Sequence, residues 1–168
     1  MTTVTRPKVA DFVAAKRLAR QVLQDNGITE PPIIAADLVV SYGLEAMIAV
    51  FQPGYDHIAG FIDFDEFKIY VNGDDSLQRQ NFTIAHELGH YLLGHRKESG
   101  YTVLLRNPDE MVKTPIEKEA NCFAANLLVP EPFLLQYLED FPGITNYQLT
   151  KIFGVSTDVI HYRRLYVK

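Results

Sequence analysis

Residues 82–94 read FTIAHELGHYLLG, an apolar stretch that contains two histidines and a glutamate. Its apolar residues recur at helical spacing, and Gly94 is a typical helix stop, so a helix is predicted. His86 and His90 then lie one turn apart on the same face, where both can bind one metal ion. Imidazole nitrogen suits Zn²⁺, and Glu87 can act as general base toward a water molecule at an open zinc site. Such a pattern also arises by chance, but His and Glu buried in an apolar helix are costly unless something binds them.

A catalytic zinc needs three protein ligands, so a further ligand is expected elsewhere in the chain. Residues 116–130, IEKEANCFAANLLVP, have the periodicity of a buried helix and carry two glutamates in the first turn. We predict Glu117 as the third ligand and Glu119 as the fallback. With Glu117 as ligand, Ala120 permits close helix packing one turn on, and Asn121 can orient a ligating histidine. Both glutamates have an alternative interpretation as solvated charges at a helix N-terminus.

Hydrolysis of a carbonyl compound at such a site also needs a group that stabilises the oxyanion. The candidates within sequence reach are Tyr91, His95 and Tyr101, and the sequence does not distinguish among them. For His95 the favoured alternative is a cation that interacts with the dipole at the helix C-terminus.

The composition is typical of a globular protein with one domain of common size. The chain has 168 residues, of which 47% are hydrophobic and 22% charged, and it can bury a core without disulfides or a structural metal. A net charge of −5 argues against a protein that binds nucleic acid with its whole surface. The single cysteine, Cys122, cannot build a disulfide framework, and no apolar run approaches the roughly 20 residues of a membrane helix. We therefore expect a cytoplasmic protein.

Hydrophobic periodicity predicts an α+β fold with a small antiparallel sheet packed on helices. A first amphipathic helix is expected over about residues 8–26, and a strand over 47–51. The β-prone runs 58–64 and 67–71 are expected to form a hairpin, which should also supply the edge strand for an extended substrate. The connection over 95–115 is long enough for a lid or a variable surface loop.

The chain is predicted to change unit at Pro142 and Gly143, which divides it into residues 1–142 and 143–168. Residues 145–167 resemble a helix-turn-helix, with a turn at Gly154 and Ser156 as the N-cap of the second helix. From residue 143 onward the sequence has four basic residues and one acidic residue, for a net charge of +3: Lys151, Arg163, Arg164 and Lys168 against Asp158. DNA binding is one interpretation. We favour a helical pair that packs on the rest of the chain and helps to recognise a protein substrate, because both arginines lie late in the helix, away from the usual base contacts.

Two segments match a known family pattern, in which an AHELGH helix precedes an E-x-x-A-N-x-F-A-x-x-L-L-x-P helix. Here they are residues 85–90 and 117–130, and the RQNFT lead-in at 79–83 and the hairpin end at 69–72 agree as well. The chain therefore resembles the ImmA/IrrE family of metallopeptidases over roughly residues 10–140. It is more similar to the short ImmA-type members than to the IrrE-type members with a long C-terminal sensor region.

The resemblance implies a zincin-like core in which His86, His90 and Glu117 bind zinc and Glu87 is the base. It also implies a zinc-dependent endopeptidase that cleaves a DNA-binding transcriptional repressor, a helix-turn-helix protein that controls a mobile element, phage immunity or a stress response.

Two other classes of function remain open from the residues alone. One is a DNA-binding regulator or antitoxin-like protein with a structural or inactive metal site, and the other is an antirepressor that binds its target without cutting it. His₂Glu ligation also accepts Mn²⁺ or Fe²⁺ in place of zinc.

Overall fold

The computed structural model describes residues 9–96, 101–107, 109 and 113–167, and within them the chain has an α+β fold. The helices are α1 (Phe12–Asp25), α2 (Ala35–Val39), α3 (Leu77–Leu92), α4 (Pro115–Leu128), α5 (Glu131–Asp140), α6 (Asn146–Phe153) and α7 (Thr157–Tyr166), with a 3-10 turn at Val40–Tyr42. The strands are β1 (Glu45–Ala49), β2 (Ile58–Asp63), β3 (Lys68–Asn72) and β4 (Tyr101–Leu105). No helix in these ranges has the length and apolar content to cross a membrane.

The four strands form one mixed sheet in the order β1-β3-β2-β4. The predicted hairpin is confirmed, because β2 and β3 pair antiparallel, and β4 pairs antiparallel with β2. The expectation of a purely antiparallel sheet is wrong, since β1 pairs with β3 in parallel. The connection at residues 50–57 is long enough to pass over one strand position, so β3 fills the place beside β1 and runs in the same direction.

This strand order also corrects the predicted edge strand. Both β2 and β3 have a partner on each side, so neither is free to pair with an extended substrate. The edges of the sheet are β1 and β4. Of the predicted lid over 95–115, residues 97–100, 108 and 110–112 lie outside the described ranges, and the described part includes β4.

Helix α3 lies at the centre of the fold, where it packs on β2 and β3 and against α4. Its N-terminus is capped by Ser76, which accepts a hydrogen bond from the backbone of Arg79. Helix α4 packs in turn against α1, whose small residues Ala15 and Ala19 are fully buried. The sheet, α3, α4 and α1 therefore form successive layers around a continuous core.

A glycine sets the distance between α3 and α4. A Cβ atom added at Gly89 would lie 2.8 Å from Cδ1 of Phe123, which is fully buried on α4. Only glycine leaves space for this ring. The two helices that carry the predicted ligands therefore approach closely at the turn that holds His90.

Residues 145–167 form two helices, as the sequence predicts. Thr145 and Gln148 form a capping box at the start of α6, and Gly154 ends this helix in the left-handed conformation (φ 65°). Leu149, Phe153 and Ile160 of the helix pair are fully buried and belong to the same core as α3 and α4.

Candidate metal centre

The centre is built by two helices that pack side by side. Helix α3 supplies His86, Glu87 and His90, all three of which are fully buried. Helix α4 begins at Pro115 after the N-cap Thr114, which places Glu117 in its first turn. His86 and His90 thus contact the carboxylate of Glu117, which lies 27 positions after His90 in the sequence.

Three ligand atoms converge at this point. His86 Nε2 and His90 Nε2 lie 3.0 Å apart, and Glu117 Oε2 lies 3.1 Å from the first and 3.2 Å from the second. Three ligands about 2.0–2.1 Å from a tetrahedral zinc ion would be separated by about 3.3 Å. The observed triangle therefore has nearly the dimensions of one face of a zinc site.

A hydrogen bond to Asn121 determines which nitrogen of the His86 ring directs a lone pair toward the other two ligand atoms. Asn121 Oδ1 lies 2.8 Å from His86 Nδ1, and since an amide oxygen only accepts, Nδ1–H donates to it. Nε2 is then the free acceptor of the neutral ring. The structure brings Asn121 to the place expected of a residue that orients a ligating histidine.

A second chain of hydrogen bonds fixes the His90 ring, and it was not foreseen from the sequence. Glu119 Oε2 lies 2.7 Å from His95 Nε2, and His95 Nδ1 lies 3.1 Å from His90 Nδ1. Because the carboxylate accepts from His95 Nε2–H, the other His95 nitrogen accepts from His90 Nδ1–H. The other carboxylate oxygen, Glu119 Oε1, accepts from the backbone of Asp11 at the start of α1.

The structure gives hydrogen-bond partners to two of the candidate residues. Glu119, the fallback ligand, binds His95, and the cluster suited to a metal among the described residues is His86, His90 and Glu117. His95, a candidate for stabilising the oxyanion, has both ring nitrogens engaged behind His90. The sequence gives one indication of this role: His95 lies five residues after His90, which is close enough for it to contact Nδ1 of the His90 ring.

The charges of the centre suit a cation. Burial alone would raise the pKa of Glu117, but its interactions with the His86 and His90 rings outweigh burial and hold the pKa far below the usual range. Burial lowers the pKa of His90 to about 4, so its ring is neutral at physiological pH. For His86 burial also acts downward, but the carboxylates of Glu117 and Glu87 outweigh it and raise the pKa above 6.5.

These protonation states test whether a metal fits. Two imidazole lone pairs and a carboxylate oxygen repel one another at 3.0–3.2 Å unless a proton or a cation lies among them. The raised pKa of His86 reflects this demand for positive charge. Two nitrogens and one oxygen are also a typical donor set for a catalytic zinc ion, so the residues fit the group.

The remaining site candidates lie around the cluster. Glu87 follows the first histidine on α3, and its charge acts directly on the His86 ring. Tyr91 is half-buried, with its ring 6.3 Å from that of Phe64. Tyr101 begins β4, opposite Asp63, and its side chain lies outside the described part. A role for either tyrosine in stabilising the oxyanion stays a prediction.

Comparison with known proteins gives two curated relatives. The chain is 33% identical over 99 residues to metallopeptidase ImmA of Bacillus subtilis (strain 168), an alignment that covers 59% of this chain and 56% of ImmA. It is 33% identical over 82 residues to the radiation response metalloprotease IrrE of Deinococcus radiodurans, which covers 49% of this chain and 25% of IrrE. The aligned segments thus span about half of the first relative and a quarter of the second.

A solved structure and a family profile complete the comparison. A Mycobacterium tuberculosis transcriptional regulator has a similar fold, with a TM-score of 0.66 over 89% of this chain and 55% of that chain, at 18% identity. The Peptidase M78 family, described as the IrrE N-terminal-like domain, matches residues 57–164, which is more than half of the chain. With the two histidines and the glutamate of its metal centre inside that match, the chain belongs to the M78 family of peptidases.

Proposed function

We propose that this protein is a zinc-dependent endopeptidase with a zincin-like core, and that His86, His90 and Glu117 hold the metal. The observation that carries the proposal is the triangle of two Nε2 atoms and one carboxylate oxygen at 3.0–3.2 Å, with Glu87 beside it on α3. Membership of a peptidase family and similarity to two proteins named as metallopeptidases support it. We propose zinc because two imidazoles and one carboxylate are the ligand set of His₂Glu catalytic zinc sites, although the same donors also bind Mn²⁺ or Fe²⁺.

In the proposed mechanism each residue has a separate task. A zinc ion at this centre would acidify a water molecule and polarise the carbonyl of the peptide bond. Glu87 accepts a proton from the water as the water oxygen bonds to the carbonyl carbon, and it then donates this proton to the nitrogen of the leaving amine. Asn121 and His95 hold the two ligating rings in place. One water molecule is consumed, and one carboxyl and one amino terminus are formed.

We propose a DNA-binding repressor of the helix-turn-helix class as the substrate and the cytoplasm as the place of the reaction. Both proposals extend the resemblance to the ImmA/IrrE family, and the single cysteine of the chain agrees with the second.

The alternative of a DNA-binding regulator has weaker support. Arg163, one of the four basic residues on which it depended, is 2% exposed, and its Nε donates to Val129 O at 2.9 Å. Arg164 Nη1 donates to Asn146 Oδ1 at 2.8 Å. One of these cations is thus unavailable to phosphates, and the other is tied to the start of α6.

The substitution Glu87→Gln tests the function. We expect the purified zinc-loaded chain to cut a candidate helix-turn-helix repressor into two fragments, and the variant to lose this activity by at least about 100-fold because the general base is gone. Fragments would be identified by mass spectrometry. Zinc content, measured on the same samples by atomic emission, should stay at one ion per chain because the ligands are intact.

The matched control is Glu139→Gln, which removes an exposed carboxylate from α5. It should cut at the wild-type rate. Equal cleavage by the Glu87→Gln variant would contradict the enzymatic role, and binding of the repressor without cleavage by any variant would favour an antirepressor.

A further inference from the structure

A groove leads away from the metal centre between β4, α4 and α7. Its first compartment has a volume of about 530 Å³ and reaches from Arg79 of α3 past Leu104 of β4 to Glu117 and Asn121 of α4. The opposite wall is formed by Ser156, Asp158 and Val159 at the start of α7. A polypeptide that approaches Glu117 through this compartment therefore contacts the C-terminal helix pair.

A second compartment continues the first. It has a volume of about 540 Å³ and shares Phe82, Lys118, Asn121, Asp158 and Val159 with the first. Beyond these shared residues its walls are mainly apolar or aromatic: Phe12 of α1, Cys122 and Ala125 of α4, and Tyr162 and Tyr166 of α7. The groove thus runs from the metal centre into an apolar compartment.

The aromatic side chains of this compartment are incompletely covered. Phe12 is 42% exposed and Tyr162 is 38% exposed, and the Tyr162 ring lies 4.8 Å from that of Tyr166. A cluster of exposed rings beside a cleft is typical of a surface that binds a partner. Lys16 and Lys118 stand at the polar margin of the same compartment.

The orientation of α7 opposes a role in reading DNA. In a helix-turn-helix, residues at the N-terminal end of the second helix enter the major groove. Here Ser156, Asp158 and Val159 at that end line the cleft beside the metal centre, and Asp158 would repel phosphates. The match to the peptidase family extends to residue 164 and so includes this end of α7.

We propose that α7 is a wall of the substrate groove and that Val159 and Tyr162 select a large apolar side chain of the substrate near the bond that is cut. The identity of the occupant as a substrate segment rests on the proposed peptidase function. Continuity with the metal centre supports an extended polypeptide as the occupant, and the ring faces of Phe12 and Tyr162 favour an aromatic or long aliphatic side chain in the apolar compartment.

The test measures which peptides bind. The full chain with Glu87→Gln, loaded with Zn²⁺ and immobilised, is exposed to a random library of 12-residue peptides, and retained peptides are sequenced by mass spectrometry. We expect enrichment of Phe, Tyr, Leu and Met at one position. Adding Tyr162→Lys should reduce this enrichment at least about tenfold, because the charge and the lost ring remove the apolar surface.

The matched control is Leu165→Lys, which puts the same charge on α7 at a residue that is 61% exposed and lines neither compartment. It should retain the same peptides as the parent chain, and circular dichroism should show both variants folded. Equal enrichment by the Tyr162→Lys chain, or none by the parent chain, would overturn the proposal. So would self-association of the chain that Tyr162→Lys abolishes, since the groove would then hold a second copy.

Cleavage is read separately so that the two proposals can fail independently. The wild-type chain is incubated with the same library, and new termini are counted. If peptides are retained selectively but none is cleaved, the peptidase function is refuted, and the assignment of the groove as a peptide-binding site stands. If the Tyr162→Lys chain cleaves peptides with the same sequence preference as the wild-type chain, the role of α7 is refuted and the peptidase function stands.

Discussion

At the scale of single residues, the centre depends on what lies behind each ligating ring. His86 is held by one amide oxygen, whereas His90 is held by a chain that runs through His95 to Glu119 and ends at the backbone of Asp11. The hydrogen bonds fix the tautomer and the direction of both rings before a metal binds. Burial also lowers the pKa of His95, so this ring is neutral and its Nδ1 can accept a hydrogen bond from His90 Nδ1–H.

The substitution His95→Ala should therefore weaken metal binding without removing a ligand. We expect zinc affinity, measured by competition with a chromogenic chelator, to fall about 10- to 100-fold, because His90 loses the partner that orients it. The control His57→Ala removes an exposed histidine that lies well before the ligands in the sequence, and it should leave the zinc affinity unchanged. An unaltered affinity in the His95→Ala chain would show that the α3 backbone alone orients His90.

At the scale of elements, local patterns predicted what local geometry determines. The spacing of His86 and His90 on one helix, the end of that helix before Gly94 and the helix that carries Glu117 all follow from periodicity and end signals within a few residues. The place of β3 beside β1 does not, because it depends on how a long connection crosses the sheet. The contact of His95 with Glu119 joins residues from two helices, and neither has a pattern that names the other.

The distance between α3 and α4 is the element-scale quantity on which the centre depends most. Substituting Gly89→Ala would place a methyl group 2.8 Å from the buried Phe123 ring, so the ring or the two helices must shift. We expect a loss of about 1–3 kcal/mol in the free energy of unfolding, measured with urea, together with weaker zinc binding as Glu117 moves away from the histidines.

A double-mutant cycle supplies the control for this substitution. Phe123→Leu removes ring atoms that the new methyl group would meet, so the double variant should lose less stability than the sum of the two single variants. Additive losses would mean that the effect of Gly89→Ala does not arise at the contact with Phe123.

At the scale of the whole molecule, the structure joins the C-terminal helix pair to the layers that hold the metal centre. Leu149, Phe153 and Ile160 share a core with α4, and the start of α7 faces the groove beside Glu117. The predicted division of the chain after residue 142 remains a prediction. What the two segments share physically is a core, and segments that share a core unfold together in one transition.

The buried guanidinium of Arg163 is the place to test this cooperativity. Its Nε donates to Val129 O just after the end of α4, so Arg163→Ala leaves that carbonyl unpaired and opens a cavity between α4 and α7. We expect a loss of about 2–4 kcal/mol in a single urea transition, with hydrogen exchange accelerated to the same extent in the most protected amides of α3, α4 and α7. The adjacent Arg164→Ala, on the exposed face of α7, should cost less than about 1 kcal/mol. Accelerated exchange confined to residues 143–167 would instead mean that the helix pair unfolds on its own, and then α7 could open the groove without disturbing the metal centre.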